Sequence, residues 1–357
     1  MMRYTPLALA LLATACSHES PSIPGVYTPN QPAGNGALVR VTFNPGDDLW
    51  PSWLPDGRGF LYTAERIDRD DLDRCLAQLP AAGGTIERET CDLLPAADDS
   101  VNAYTAAAVS SDGRVAYVRA TASLSVGWPV APLAQQLVVA PMDHPDRARV
   151  LQTIPYPGPS GRIHQSVSQV SWLGDSTLVF VGQKVDYPAV CNLCTLRDTL
   201  TTGLEVVRLD FSGPAPVLTM LPGTDQASSV TAAGDDTVYF TVNGDSRVFR
   251  LQVSSGALST AHDFGAGNIA RDVGVAAGRL VAVVGGKVSF GDDPALGLVQ
   301  RDSGGTVVVV DLAGGAETAL TPPLEFYRHA ALAPDGRHIV AERLLGRTTD
   351  LYLVEVP

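Results

Sequence analysis

A chain of 357 residues could hold two ordinary domains or one large repeat protein, and with 45% hydrophobic residues it can bury a sizeable core. Its 25 Lys and Arg against 38 Asp and Glu leave a net charge of −13, which argues against a nucleic-acid partner, and no basic run is long enough to grip a phosphate backbone. The 34 Gly and 26 Pro in an otherwise apolar chain suit many short strands joined by turns.

Residues 1–16 read as an export signal. Arg3 supplies the positive start, and Leu7-Ala8-Leu9-Ala10-Leu11-Leu12 is too short to span a bilayer as a mature helix. The run ends in Ala13-Thr14-Ala15-Cys16, which resembles the lipobox of bacterial lipoproteins, with Ala13 where that family usually carries Leu. The resemblance implies acylation of Cys16 and a membrane anchor; Ser17 implies routing to the outer membrane, facing the periplasm or the cell surface. A plain secretory signal is the alternative. Residues 17–36, with Pro21, Pro24, Pro29, Pro32, Gly34 and Gly36, read as a flexible tether.

Four further cysteines in an exported chain read as disulfides. Cys75 and Cys91 lie symmetrically about Gly83, in a hairpin whose turn is Pro80-Ala81-Ala82-Gly83-Gly84. A bond between them would stabilise by about 3 kcal/mol through loop closure. Cys191-Asn192-Leu193-Cys194 has a spacing shared by redox and metal motifs, but no second pair supplies two more ligands, and a small structural disulfide is the favoured reading.

From residue 37 to 357 one unit recurs. Trp50-Pro51-Ser52-Trp53-Leu54-Pro55-Asp56-Gly57-Arg58 leads into Phe60-Leu61-Tyr62: a strand, a tight turn and a second strand. The turn residue returns at Asp112, Asp175, Asp235, Gly278 and Asp335, at a mean spacing of about 56 residues, each time ahead of an apolar run. A second hairpin follows in each unit, most clearly Thr306 to Leu312 with Ala316 to Thr321. Four strands per unit, six units and no helical stripe predict an all-β fold, a six-bladed β-propeller of four-stranded blades. Thr42 precedes Trp53, and Thr321 precedes Leu332, by the same 11 residues. Residues 37–43 are therefore expected to lie beside residues 350–356 and complete the last blade, leaving no open edge.

The strand–Pro-Asp-Gly-Arg–strand unit, with Gly-Gly and Leu-Thr downstream, resembles the propeller repeat of TolB and its relatives across residues 37–357. Units one and six match it best; Gly174-Asp175-Ser176, Gly234-Asp235-Asp236 and Ala277-Gly278-Arg279 depart from it. The resemblance implies a propeller without the α/β domain of TolB, and implies a protein-interaction or assembly role in the envelope.

Chemistry-bearing motifs are sparse. The Asp-Gly-Arg turns serve the fold, since Asp caps turn amides, Gly supplies positive φ, and Arg58, Arg114 and Arg337 can lie over a neighbouring strand. Asp68-Arg69-Asp70-Asp71-Leu72-Asp73 and Gly291-Asp292-Asp293 read as solvated loops rather than calcium sites. No Gly-x-Ser-x-Gly elbow, phosphate loop or His-Glu-x-x-His occurs. Counting back from each turn brings Trp50, Tyr104, His164, Gln169, Ser229, Arg271, Asp272, Arg328 and His329 to one channel mouth. These groups could bind an anion, hold a divalent metal or act as an acid–base pair, or they could satisfy one another in a water-filled channel. No other cofactor is expected. Three long inserts, Ala122 to Leu133 with Trp128, Gln183 to Thr202, and Val288 to Gly305, offer a second surface for recognition or a structural cap.

The leading expectation is a monomeric, lipid-anchored platform whose partner is an envelope protein. Its alternative is an envelope enzyme of lyase or lactonase type, or a glycan binder, working at the channel mouth. A redox role for Cys191 and Cys194 is a third reading.

Overall fold

The structure, a computed structural model, describes residues 38–65, 74–90, 100–123, 132–144, 147–157, 163–186, 200–285, 289–293, 297–301, 305–322, 325–345 and 348–357. The export signal, Cys16, the tether, the acidic run 68–73, Trp128, Cys91, Cys191 and Cys194 lie outside these residues. Every named element is a strand. Among the described residues no helix is long and apolar enough to cross a membrane.

After a short β1 (Leu38–Arg40), the six sequence units appear in order. Unit one holds β2 (Asp48–Trp53), β3 (Gly59–Glu65), β4 (Arg74–Pro80) and β5 (Arg88–Thr90). Unit two holds β6 (Ser100–Val109), β7 (Arg114–Ser123), β8 (Pro132–Pro141) and β9 (Arg149–Ile154). Unit three begins with three short pieces, β10 (Tyr156–Pro157), β11 (Ile163–Val167) and β12 (Ser171–Trp172), before β13 (Thr177–Asp186), β14 (Leu200–Asp210) and β15 (Val217–Met220). Unit four is the most regular: β16 (Ala227–Ala233), β17 (Thr237–Val242), β18 (Arg247–Gln252) and β19 (Ala257–Asp263). Unit five contains β20 (Ile269–Ala276) and β21 (Arg279–Gly285), an inserted hairpin of β22 (Ser289–Asp293) and β23 (Gly297–Arg301), then β24 (Gly305–Asp311) and β25 (Glu317–Ala319). Unit six has β26 (Tyr327–Leu332), β27 (His338–Leu345) and β28 (Thr348–Glu355). Gly291-Asp292-Asp293 is thus the end of β22 rather than a loop, because the insert folds back on itself as a two-stranded sheet.

Pairing within the units is antiparallel, and the sheets run β16-β17-β18-β19, β20-β21-β24-β25 and β1-β28-β27-β26. The sheets of units one and two are joined by a single parallel pairing, Arg74 with Ala103. β1 takes the outer place beside β28, with Leu38 opposite Val354 and Arg40 opposite Tyr352. It is shorter than the 37–43 run because a side chain takes over the ladder: Val41 N donates to Leu351 O at 2.9 Å, but Leu351 N donates to Thr42 Oγ1 at 2.8 Å.

The second strand of each unit explains the apolar runs. β3 is buried at six successive positions, because a sheet packed between two others hides both faces of its middle strands. Outer strands are the reverse, and β19 is exposed over its first four residues. Six apolar clusters among the described residues lie between consecutive sheets. One joins the first and last units, packing Trp53, Phe60 and Tyr62 with Ala333, Val340 and Leu351. Cys75, buried on β4, is disulfide-bonded. The β4–β5 register, Leu76 opposite Thr90, is that of the hairpin expected about Gly83, while the pairing with Cys91 falls outside the described residues.

Candidate functional site

The turns hold as their residues require. Gly57, Gly113 and Gly336 carry φ of 69°, 80° and 71°, and Asp56 Oδ1 and Asp335 Oδ1 accept from Arg58 N and Arg337 N at 3.0 and 2.8 Å. Among the described residues, Arg114 is the one of the three turn arginines whose side chain reaches a neighbouring unit: it caps Asp175 O and lies 5.2 Å from the Trp172 ring.

Six residues before the turn residue, four units share a second device. Trp50, Ala106, Asp272 and His329 have φ of 51°, 56°, 52° and 45°, a left-handed conformation that a bulky side chain rarely adopts. Each opens a β-bulge, with Leu49–Ser52, Thr105–Ala108, Arg271–Gly274 and Arg328–Ala331 spanning the register shifts. A bulge re-aims the side chains that follow it. Two of these positions, Trp50 and His329, meet at one carboxylate, Glu342 of β27, which is fully buried. Glu342 Oε1 accepts from Trp50 N at 2.5 Å and contacts His329 Nδ1 at 2.7 Å, while Oε2 accepts from Arg328 Nε at 2.5 Å. His329 N donates to Asp272 Oδ2 at 3.0 Å, and His329 Nε2 faces Asp272 Oδ1 across 4.0 Å. The Trp50 ring flanks the imidazole at 5.9 Å. Burial alone would lower the His329 pKa, but the Glu342 and Asp272 carboxylates outweigh it and raise it to about 9, so the ring is a cation at neutral pH.

The first strands of all six units line the wider of two cavities that share Gln169, Val230, Val273 and Ala330. The wider, of about 520 Å³, is lined on the turn side by Trp53, Ser111, Trp172, Asp175 and Asp235 among others. The narrower, of about 70 Å³, lies further from the turns and is lined by Ser168, Gln169, Ser228, Ser229, Asp272 and His329. Gln169 belongs to both, and its Nε2 donates to Pro51 O at 3.1 Å, tying unit three to unit one. Ser229 Oγ bonds Thr241 Oγ1 at 2.6 Å and accepts from Val273 N at 3.1 Å.

Of the residues expected at the mouth, Trp50, Gln169, Ser229, Asp272, Arg328 and His329 are brought together here. Arg271 sits one residue ahead of the bulge, with its guanidinium against Gly305. Tyr104 does not reach the mouth: it is fully buried against Tyr117, at a ring distance of 5.8 Å, because it precedes the bulge and the equivalent position in its unit is Ala106. His164 lies on β11, and its side chain is outside the described residues. Among the described residues no three His, Cys, Asp or Glu side chains are grouped to hold a metal ion. Glu342 was missed by counting back from the turns, since it lies after one. Its signal is a lone acid within the apolar run His338 to Leu345, a place where units one and four carry the buried Thr63 and Thr241.

No protein-family model matches the sequence, and no curated protein matches it significantly. Solved structures do resemble the fold. The WD40 repeats of RRP9 superpose with a TM-score of 0.52 at 10% identity, covering 92% of this chain and 99% of that one. An oligogalacturonate lyase in complex with manganese gives 0.51 at 13%, covering 94% and 97%. TolB from Acinetobacter baumannii gives 0.50 at 14%, covering 87% of this chain and 64% of that one. At these identities the likeness concerns the fold alone: this is an all-β chain with several four-stranded antiparallel sheets, as in TolB-like and other propellers.

Proposed function

We propose that the chain is a six-bladed propeller, closed by its N-terminal strand and tethered through acylated Cys16 to the bacterial envelope, where it serves as a non-catalytic protein-interaction platform. Closure is supported by an equivalence between units. The Trp53 indole donates to Ala331 O at 2.9 Å, and the Trp172 indole donates to Ala108 O at 3.0 Å. Each links the residue three before a turn to the carbonyl four before the preceding turn, so unit six stands to unit one as unit two stands to unit three.

One observation carries the platform role: around Glu342, beside the narrow end of the axis, the charges are spent on one another, while the wide end is open. Glu342 is saturated by Trp50 N, Arg328 and His329, and it has no exposed surface from which to exchange a proton with a substrate. The wide cavity instead offers tryptophan, serine and the exposed carboxylates of Asp175 and Asp235, on a chain with a net charge of −13. That combination suits an inserted segment of a protein partner bearing positive charge.

A photo-crosslinking residue at Ser111, on the cavity rim, tests this against one at Ser259 on the outer strand β19. A discrete adduct with an envelope protein at Ser111 alone is expected, weakening as salt rises. Equal labelling at both sites, or none at Ser111, rejects the reading. Radiolabelled palmitate, incorporated by the wild type and lost in Cys16→Ser, tests the anchor.

A further inference from the structure

The outer edge of the His329–Asp272 pair has a geometry that the ion pairs around Glu342 do not use. With Nδ1–H directed at Glu342, the second ring proton of the imidazolium is on Nε2, the atom that faces Asp272 beside the narrow cavity both residues line. Among the described residues its nearest carboxylate oxygen, Asp272 Oδ1, is 4.0 Å away, too far for a direct hydrogen bond. A donor and an acceptor at that separation can be bridged by one oxygen about 2.8 Å from each.

The bridging atom must accept from Nε2–H and donate to Oδ1. A hydroxyl does both. A carboxylate can only accept, and would stand against Asp272; an ammonium can only donate, and would stand against the imidazolium. The rest of the lining agrees, with three serine hydroxyls at 168, 228 and 229 and the Gln169 amide. His329 and Asp272 are 26% and 21% exposed at the side chain, so solvent-borne groups reach them. The Trp50 ring beside His329 offers a face of the kind that lies against sugar C–H groups. At about 70 Å³ the cavity admits a hydroxyl-bearing edge and leaves the remainder of a ring outside.

We propose that the narrow cavity is a subsite for a neutral carbohydrate hydroxyl, held between His329 Nε2–H and Asp272 Oδ1. This does not rest on the platform role: crosslinking at Ser111 can fail while the subsite binds, and the reverse.

Methyl β-D-glucoside is the probe, with sodium acetate as the anionic contrast, and the imidazole ¹⁵N resonance of His329 is the readout. Expected is a saturable shift with the glucoside that acetate neither produces nor competes away, weakened about tenfold by Asp272→Ala. Because Asp272 also receives His329 N, Asp272→Asn provides a milder variant that keeps that acceptor and lies between the two. No saturable shift in the wild type, an acetate-dominated shift, or wild-type affinity in both variants overturns the proposal. The first of these would leave the bridging place to water.

Discussion

Asp48 is wholly buried at the start of β2, where Asn44 Nδ2 donates to its Oδ1 at 2.7 Å and Oδ2 has no hydrogen-bond partner among the described residues. Burial pushes its carboxyl up to about 8; hydrogen bonds from Thr42 and Asn44 and the charge of Arg40 pull the other way, and nearby Asp350 adds to the rise. The folded chain therefore keeps a proton that the unfolded chain releases near pH 4, and the stability it contributes is lost as pH rises from there through about 8. His329 tilts the same way in a higher window: its contribution is complete below about 6.5 and is lost as pH rises through about 9. The carboxylates held low, such as Asp112 beside Arg114 and Asp245 beside Arg247, titrate on the acid side and leave this window untouched. Thermal melts should therefore fall from pH 6.5 to 9. Asp48→Asn should raise the melting temperature at pH 8 and flatten the lower part of the slope. His329→Asn, which keeps a residue tolerant of left-handed φ, should remove the upper part. A wild-type melting temperature that is level over the whole range would refute both assignments.

At the scale of elements, β1 is held as much by charge as by its ladder. Arg40 bridges to Asp350 at 2.8 Å, donates from Nε to Thr42 O at 2.9 Å and lies 4.8 Å from the Phe43 ring. Asp350 is almost wholly buried, so Arg40→Ala should cost about 3 kcal/mol in urea unfolding by leaving that carboxylate uncompensated. Adding Asp350→Asn should recover most of the loss, which distinguishes an uncompensated charge from a lost β1 contact. A cost under about 0.5 kcal/mol would show that β1 is held by its backbone alone. The place of β1 was legible in the sequence because Thr42 and Thr321 sit at matched spacings, and both threonines do cap their sheets, Thr321 Oγ1 accepting from Val307 N at 2.9 Å. The inner hairpins were legible for a similar reason, since an Asp-Gly turn between apolar runs has few other outcomes. The bulges were not. Trp50, Ala106, Asp272 and His329 share no side-chain chemistry, so no residue type at that position announces their common conformation. Counting residues along a straight strand therefore put Tyr104 at the mouth and overlooked Ala106. Glu342 escaped for another reason: its role depends on three groups from two units, which no local pattern displays.

On the scale of the whole molecule, the question is whether the first and last units meet as any other pair does. The first strands pack in sequence, β16 on β20 and β20 on β26, and β26 packs on β2. The cluster joining units six and one is of the same apolar kind as the one joining units one and two, where Leu54, Leu61 and Leu76 meet Tyr104, Val115 and Tyr117. If that junction is equivalent to the others, the position of the chain break within the outer strand of the last sheet matters little, provided the strand is present. A permuted chain that starts at residue 44 and carries residues 38–43 after Pro357 through a short linker would turn β28 and β1 into an ordinary hairpin. Such a chain should melt within a few degrees of the protein beginning at residue 38, with a single cooperative transition. The same chain without residues 38–43 exposes the β28 edge and unpairs the buried Asp350, and it should melt well below both. If the permuted chain instead melts with the strand-deleted one, residues 38–43 act through their place at the chain start, and the six units do not form one closed ring.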